Sequence, residues 1–261
     1  MIVHSAMPGP QAAARGRYAI STYARGEFSA DMAAALVEDL ALAMPRSSPR
    51  GYFAAKPEVI DDMDWTVTAR DAHSGRQCAF LGARWLNVDG GTIMLYTLLV
   101  DDAHQRGSVT FLVLRALFGL LARDQAPAFT RVILKTAHPR SYLAMENFEN
   151  LPGAQFYPSR TRINPAPMRA AAMAIAARLH PQHRFDAQRG LIIDAAADAP
   201  FAFYRELPTS SDLALNHYFA EHVGLRHRML CMLELASADT RHALFARFRI
   251  RPGPPSLRVV A

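Results

Sequence analysis

A strand, a polar turn, a long apolar helix and a second strand follow one another between residues 92 and 136, and this unit most constrains the fold. Thr92–Val100 is apolar on both faces, which is typical of a central strand. The helix predicted over residues 108–123 is nearly all apolar, so we expect it to be buried against a sheet. Phe129–Thr136 is the second predicted strand. The sequence therefore predicts a strand–helix–strand unit in the core.

Two further strands are predicted ahead of this unit. Trp65–Ala72 and Gln77–Val88 have strand-like patterns, and turn residues follow each of them. An amphipathic helix precedes them, with Ser29 as its N-cap and Pro45 after its last turn, and residues 45–51 are expected to form a turn or flexible loop. Three antiparallel strands that lead into a strand–helix–strand unit predict an α+β or mixed α/β fold, in which helices flank a central mixed sheet.

The pattern changes after Pro152 and Gly153, where an additional C-terminal segment of helices and strands begins. Ser211 is predicted to cap a helix that runs to His222, and Gly224 to end it. Other helices are expected over residues 166–179 and 241–248, and a last strand over residues 228–235. The expected organisation is a flexible leader (1–16), a core (17–152), a C-terminal half or insertion that completes the sheet (153–251) and a flexible tail (252–261).

Composition excludes several classes of function. The net charge is +6, but Lys56 and Lys135 are the only lysines and the arginines are scattered, which argues against a nucleic-acid partner. No apolar run is long enough to span a bilayer, and no secretory signal is evident, so a cytoplasmic protein without a membrane partner is expected. Cys78 and Cys231 lie in apolar runs without metal-ligand spacing, so we expect buried free thiols and no metal.

The turn before the apolar helix is the candidate binding motif. A turn that presents consecutive backbone N–H groups at a helix start attracts anions, because those groups have no helical partner and the dipole end is positive. After a strand that ends at Val100, this segment resembles the pyrophosphate-binding turn of the GNAT superfamily of N-acyltransferases, and the resemblance covers roughly residues 29–150. The residues that match the family's turn are Gln105, Arg106, Gly107, Ser108, Val109 and Thr110.

The resemblance implies a GNAT-like sheet and acetyl-CoA, or another acyl-CoA, as co-substrate. Residues 17–152 would form the acyl-CoA-binding core, and residues 153–251 would complete the acceptor site. In the family, the main chain of the strand before the turn binds the pantetheine, and Leu98, Leu99 and Val100 hold those positions here. Ser108 and Thr110 depart from the small residues usual in the family, and their side chains either narrow the approach of a phosphate or donate hydrogen bonds to it.

The family also implies a tyrosine that protonates the leaving thiolate. In the simplest register its position falls at Ala144 or Met145, and Tyr142 is the tyrosine nearest to it. In a second register residues 137–210 are an insertion and Tyr218 is the acid. A packing role is the alternative for both tyrosines.

Candidates for the base follow the predicted pantetheine strand: Asp101, Asp102 and His104, which a solvated turn explains equally well. The resemblance implies an N-acyltransferase that transfers an acyl group from acyl-CoA to a small-molecule amine that the sequence does not identify. Two alternatives stay open: a catalytically degenerate GNAT-like binding or regulatory module, and a long-chain N-acyltransferase whose Met-rich last third lines an acyl tunnel. A homodimer also stays open.

Overall fold

A mixed β-sheet with helices on both faces forms the core of the fold. The computed structural model describes residues 13–14, 16–88, 90–105, 107–123, 128–196 and 203–250. Its strands are β1 (Ala13–Ala14), β2 (Tyr18–Ala24), β3 (Trp65–Asp71), β4 (Gln77–Leu86), β5 (Thr92–Val100), β6 (Arg131–Thr136), β7 (Ala154–Tyr157), β8 (Phe185–Asp186), β9 (Leu191–Ile192) and β10 (Arg228–Leu235). Its helices are α1 (Ala30–Ala43), α2 (Pro49–Ala55), α3 (Glu58–Asp61), α4 (Val109–Arg123), α5 (Pro139–Glu146), α6 (Ala166–Leu179), α7 (Leu213–Tyr218) and α8 (Ala238–Arg247).

The strand order of the sheet is β1-β2-β3-β4-β5-β6-β10-β9-β8, and β7 also pairs with β10. Strands β5 and β6 are parallel, whereas all the other pairs are antiparallel. The last strand, β10, thus lies between β6 and β7, although about seventy residues separate it from β7 in the chain. The predicted mixed α/β fold, in which helices flank a central mixed sheet, is confirmed by this topology, and the segment after residue 152 contributes four strands to the same sheet.

Each face of the sheet has its own set of helices. On one face α4, α5 and α8 pack with the apolar side chains of the largest core cluster. On the opposite face α6 covers one half of the sheet, and α1 and α2 cover the other. We call these the α4 face and the α6 face. The apolar character of α4 follows from its place in the chain, because a parallel β5–β6 connection must cross over the sheet and be buried there.

Local signals explain most of the helix boundaries. Ser29 caps α1 by accepting a hydrogen bond from the backbone N–H of Met32, as predicted. The predicted cap at Ser211 is wrong, because Asp212 is the residue whose carboxylate accepts from the N–H of Leu215. Residues 45–51 are not only a loop, since α2 begins at Pro49.

The two chain ends fall largely outside the described residues. Of the predicted leader, residues 1–12 and 15 lie outside them, whereas Ala13 and Ala14 pair with β2. The predicted tail, 252–261, lies wholly outside them. Cys78 and Cys231 are buried free thiols, as expected. In the described ranges, no helix combines the length and the apolar character that a membrane span requires.

Candidate functional site

Strands β5 and β6 separate part of the way along their length. They pair only where Thr92–Leu95 lies beside Arg131–Leu134. Beyond that point β5 follows β4 as far as Val100, and β6 follows β10 as far as Thr136. The facing edges therefore carry backbone N–H and C=O groups that the sheet does not pair with each other, and such groups require a partner from a ligand or from water.

A β-bulge opens this gap. In the β4–β5 ladder Gly82 lies opposite Thr97 and the next residue, Ala83, lies opposite Leu95, so Tyr96 is an extra residue in β5. Normal alternation would place Thr97 on the same face as Leu95, which packs in the core of the α4 face. Instead, Thr97 Oγ1 is hydrogen-bonded to the hydroxyl of Tyr52 on the α6 face, where Tyr96 also packs. The bulge thus places two consecutive polar side chains on one face.

A cavity of about 390 Å³ occupies the gap and reaches both faces of the sheet. Its wall on the α4 face is mainly apolar, and Leu98, Leu114, Phe118, Leu134, Ala144, Met145, Phe148 and Leu244 form it. Its wall on the α6 face is polar and basic, and contains Tyr52, Lys56, Tyr96, Lys135, His180, His183 and Arg228, whereas Tyr204 lines the cavity and packs against the core of the α4 face. Among the described residues, no group of histidine, cysteine and carboxylate side chains could hold a metal ion.

The electrostatics of the basic wall centre on Lys135. Burial lowers the pKa of Lys135 to about 7, and the positive charges of Lys56 and Arg228 lower it further in the same direction. Lys135 Nζ lies 2.7 Å from Nε2 of His180. Burial lowers the pKa of His180 to about 3, so its ring is neutral at pH 7 and Nε2 can accept a hydrogen bond from the ammonium group.

Three tyrosines line the same cavity. The hydroxyl of Tyr52 is hydrogen-bonded to Thr97, and that of Tyr96 donates to Glu58 Oε1 at 3.0 Å. The hydroxyl of Tyr204 has no hydrogen-bond partner among the residues that the structure describes, and burial raises its pKa to about 12. Tyr204 is therefore a protonated O–H that a molecule in the cavity could use.

The predicted turn is tied to β5 and α5 by Gln105. Its amide nitrogen donates to Asp102 Oδ1 at 2.8 Å and lies 3.4 Å from the carbonyl oxygen of Val100. Its amide oxygen accepts from Arg140 Nη1 at 3.0 Å. Gln105 thus fixes the geometry of the turn, and a bound anion would meet the backbone and not this side chain.

The rest of the turn lies at the start of α4. Gly107 and Ser108 are exposed, Thr110 is half-buried, and Val109 is packed in the core of the α4 face. Arg106 lies outside the described residues. None of the described turn residues lines the cavity. Of the predicted pantetheine strand, Leu98 and Leu99 line it, whereas Val100 does not.

The acidic residues after β5 serve a different cluster. His104 is buried, with Nδ1 close to Asp101 Oδ1 and Nε2 3.2 Å from Asp71 Oδ2. The backbone N–H of Ser74 donates to Asp71, and this bond, with others from His104 and Arg17, holds the pKa of the Asp71 carboxyl well below its usual range. The cluster joins the turn to β3. None of its members lines the cavity, and neither does Asp102.

The structure does not bring either predicted tyrosine to the cavity. Tyr142 is buried, and its hydroxyl donates to the carbonyl oxygen of Pro158 at 2.7 Å, with Glu146 Oε1 3.2 Å away. Tyr218 packs edge-on against His222, with ring centroids 4.7 Å apart. Ser141, Ala144 and Met145 line the cavity from α5, whereas the ring of Tyr142 packs edge-on against Phe156 and Phe219. Sequence reasoning missed Tyr52, Tyr96 and Tyr204, although Gly82 within a strand is a signal for the bulge that orients two of them.

The Met-rich helix has a packing role in the described structure. Met168 is buried in the core of the α6 face, whereas Met173 is 53% exposed. Neither residue lines the cavity. The apolar wall of the cavity comes instead from β5, β6, α4, α5 and α8, together with Phe148 after α5.

No protein-family model matches the chain, and no curated protein has a matching sequence. The chain is similar to solved structures. One is a GNAT family acetyltransferase from Elizabethkingia anophelis with acetyl-CoA bound (10% identity, 85% of this chain and 100% of that chain, TM-score 0.41). Another is a GCN5-related N-acetyltransferase from Brucella melitensis (12% identity, 57% of this chain and 70% of that chain, TM-score 0.40). A third is a GNAT family N-acetyltransferase from Escherichia coli in complex with CoA (14% identity, 54% of this chain and 71% of that chain, TM-score 0.35). Likenesses with TM-scores this low assign no function to this chain.

Proposed function

We propose that the chain is an N-acyltransferase that transfers an acyl group from acyl-CoA, acetyl-CoA first among the donors, to a small-molecule amine in the gap between β5 and β6. The observation that carries the proposal is the gap itself, in which two parallel strands separate beside a cavity that reaches both faces of the sheet. Donor and acceptor would then enter from opposite faces and meet between the strands. Alignment of two reactants in this way is itself a large part of catalysis.

The donor would lie on the α4 face. Its pantetheine arm would hydrogen-bond to the unpaired edge of β5 near Leu98 and Leu99, which line the cavity. Its pyrophosphate would bind the backbone N–H groups at the start of α4, where Gly107 and Ser108 are exposed. The apolar wall would surround the acyl group and exclude water from the thioester.

The reaction consumes only the acyl-CoA donor and the amine acceptor. The amine nitrogen attacks the thioester carbon, a C–N bond forms, and the C–S bond breaks as the tetrahedral intermediate collapses. We propose Tyr204 as the acid in place of Tyr142 and Tyr218, because Tyr204 lines the cavity and its hydroxyl has no hydrogen-bond partner among the described residues. Tyr204 would protonate the departing sulfur and recover the proton that the amine nitrogen loses, so the products are an amide and free CoA.

A variant that fills the gap tests the site of donor binding. Ala144 lines the cavity from α5, so Ala144→Phe should place a ring where the acyl-pantetheine would lie. Ala174 on α6 is exposed, and Ala174→Phe is the matched control. Acetyl-CoA at one hundred times its Kd should stabilise the wild type and the control by about 2.7 kcal/mol, or roughly 5–10 °C in Tm for a domain of this size. Ala144→Phe should lose this shift.

The outcomes separate the candidate functions. An unchanged shift in Ala144→Phe would show that CoA binds elsewhere, and no shift in the wild type at millimolar acetyl-CoA or long-chain acyl-CoA would favour the degenerate binding module. That module is kept as a second candidate because neither Tyr142 nor Tyr218 lines the cavity. A larger shift with long-chain than with acetyl donors would identify a long-chain N-acyltransferase.

A further inference from the structure

Three basic side chains from distant parts of the chain meet in the wall of the cavity on the α6 face. Lys56 follows α2, Lys135 lies on β6, and Arg228 begins β10. Lys56 and Lys135 are the only lysines of the sequence, so both lysines of a protein rich in arginine lie in this one cavity. The proposed reaction gives these charges no task.

Among the residues that the structure describes, none of these charges forms a salt bridge, although the Glu58 carboxylate is close enough to raise the pKa of both lysines. Lys56 Nζ lies 5.6 Å above the centroid of the Tyr52 ring, and Lys135 is hydrogen-bonded to His180. Arg228 uses Nη1 on two backbone carbonyl oxygens, 3.0 Å and 2.7 Å away. No described residue that lines the cavity carries a carboxylate, and Glu58 behind the wall accepts from Tyr96.

Like charges gathered at a partly buried site repel one another. Burial is the largest cause that lowers the pKa of Lys56, Lys135 and Arg228. Repulsion acts on the two lysines, whose pKa values positive neighbours lower further, while the Glu58 carboxylate acts in the opposite direction. An anion placed among them would remove the repulsion and form charge-assisted hydrogen bonds. The wall is therefore complementary to a negatively charged group.

The position of the wall decides which substrate carries that group. The start of α4, where the proposed pyrophosphate site lies, belongs to the α4 face, whereas the three cations belong to the α6 face. The phosphates of CoA therefore do not account for them. A cavity of about 390 Å³ shared with the acyl group leaves room for a small acceptor only.

We propose that the acceptor is a small amine that carries a carboxylate, such as an α-amino acid, and that Lys56, Lys135 and Arg228 bind this carboxylate. This inference rests on the proposed acyl transfer and specifies its acceptor. The carboxylate anchors the acceptor on the α6 face, and its amine points through the gap to the thioester. The product is then an N-acyl amino acid.

Matched pairs of acceptors test the inference. The pairs are glycine and glycinamide, leucine and leucinamide, and phenylalanine and phenylalaninamide, which differ only in that an amide replaces the carboxylate. The release of free CoA thiol from acetyl-CoA measures kcat/KM for each acceptor. We expect at least one acid to be preferred over its amide. Because hydrogen bonds to charged groups contribute about 1.5–3 kcal/mol, Lys56→Gln should lower that preference by roughly ten-fold or more. Arg178→Gln, which removes one positive charge from the exposed face of α6, should leave the preference unchanged.

A binding measurement that needs neither CoA nor turnover keeps the two proposals distinguishable. The N-acetyl derivatives of the same three amino acids should bind by calorimetry, whereas their amides should not, and Lys56→Gln should weaken binding. The carboxylate site would be overturned if the protein used or bound the acids and their amides equally well. It would also be overturned if Lys56→Gln and Arg178→Gln reduced the preference for the acids by the same factor. Binding of acetyl-CoA with failure of this site would leave acyl transfer standing. Binding of the N-acetyl acids without binding of CoA would support the anion site and refute the donor.

Discussion

Placing a negative charge at the first turn of α4 should separate donor binding from fold stability. Ser108 is exposed and immediately precedes α4, which runs from Val109 to Arg123. An acidic side chain at a helix N-terminus interacts favourably with the helix dipole by about 0.3–1 kcal/mol. We therefore expect Ser108→Glu to raise Tm by roughly 1–4 °C, given about 2–4 °C per kcal/mol for a domain of this size. A loss of CoA binding in this variant would then not reflect unfolding.

The expected loss follows from Coulomb's law. A glutamate at position 108 would lie ~6 Å from a pyrophosphate bound at the start of α4, and two unit charges at that distance repel by about 0.7 kcal/mol in a water-like dielectric. The two negative charges of the pyrophosphate together give about 1.4 kcal/mol, which is a ten-fold weaker Kd. This value applies at low ionic strength, because the exposure of Ser108 leaves the repulsion open to screening by salt.

The assay is calorimetric titration of acetyl-CoA into the wild type, Ser108→Glu and the uncharged control Ser108→Gln. The deficit of Ser108→Glu should shrink as salt is raised, since the repulsion is screened. A Kd of Ser108→Glu equal to that of Ser108→Gln, with Tm raised as expected, would refute the pyrophosphate site. The cavity would then have to bind its ligand without the turn.

Two further predictions concern the tyrosines and the buried acid. If the hydroxyl of Tyr204 is the acid, Tyr204→Phe should lower kcat by about 10²–10⁴-fold with little change in Tm. Tyr142→Phe should leave kcat unchanged and destabilise the fold by about 1–3 kcal/mol, because the carbonyl of Pro158 loses its buried donor. A loss of kcat in Tyr142→Phe alone would reverse the assignment. Asp71, whose pKa is lowered by folding, stabilises the protein above the usual carboxyl pKa of about 4, and this contribution is lost as pH falls. The Tm difference between wild type and Asp71→Asn should therefore shrink below about pH 4, and a constant difference would contradict the role given to this carboxylate.

The sequence predicts those parts of the fold whose signals are local. The apolar pattern of α4, the strands on both sides of it and the cap at Ser29 are each encoded in a short stretch of residues, and the structure contains them nearly to the residue. Strand β2 was missed because its neighbour β3 is remote in sequence, and α2 because Pro49 and the turn residues around it are also typical of a loop.

The cavity could not be predicted in the same way, because its wall is made by long-range pairing. Arg228 reaches Lys135 only because β10 returns to pair with β6, and Lys56 reaches both only because α2 packs on the same face. The bulge at Tyr96 is a mismatch between two strands, and Gly82 is its one local signal. The resemblance to a family predicted the turn and the preceding strand as binding positions. It also predicted Tyr142 and Tyr218 as candidate acids, but both side chains pack outside the cavity.

The arrangement of the strands explains why this gap stays open in the fold. Each strand keeps a full ladder on its far side, β5 with β4 and β6 with β10, so that separation beyond Leu95 removes hydrogen bonds without loosening either strand. Repulsion among the cations on the α6 face adds a reason for the site to stay solvated until an anion enters. Unpaired backbone and clustered charge at the same place both cost stability. The two proposed substrates would offset these costs together, the pantetheine arm of the donor at the edge of β5 and the carboxylate of the acceptor among the cations.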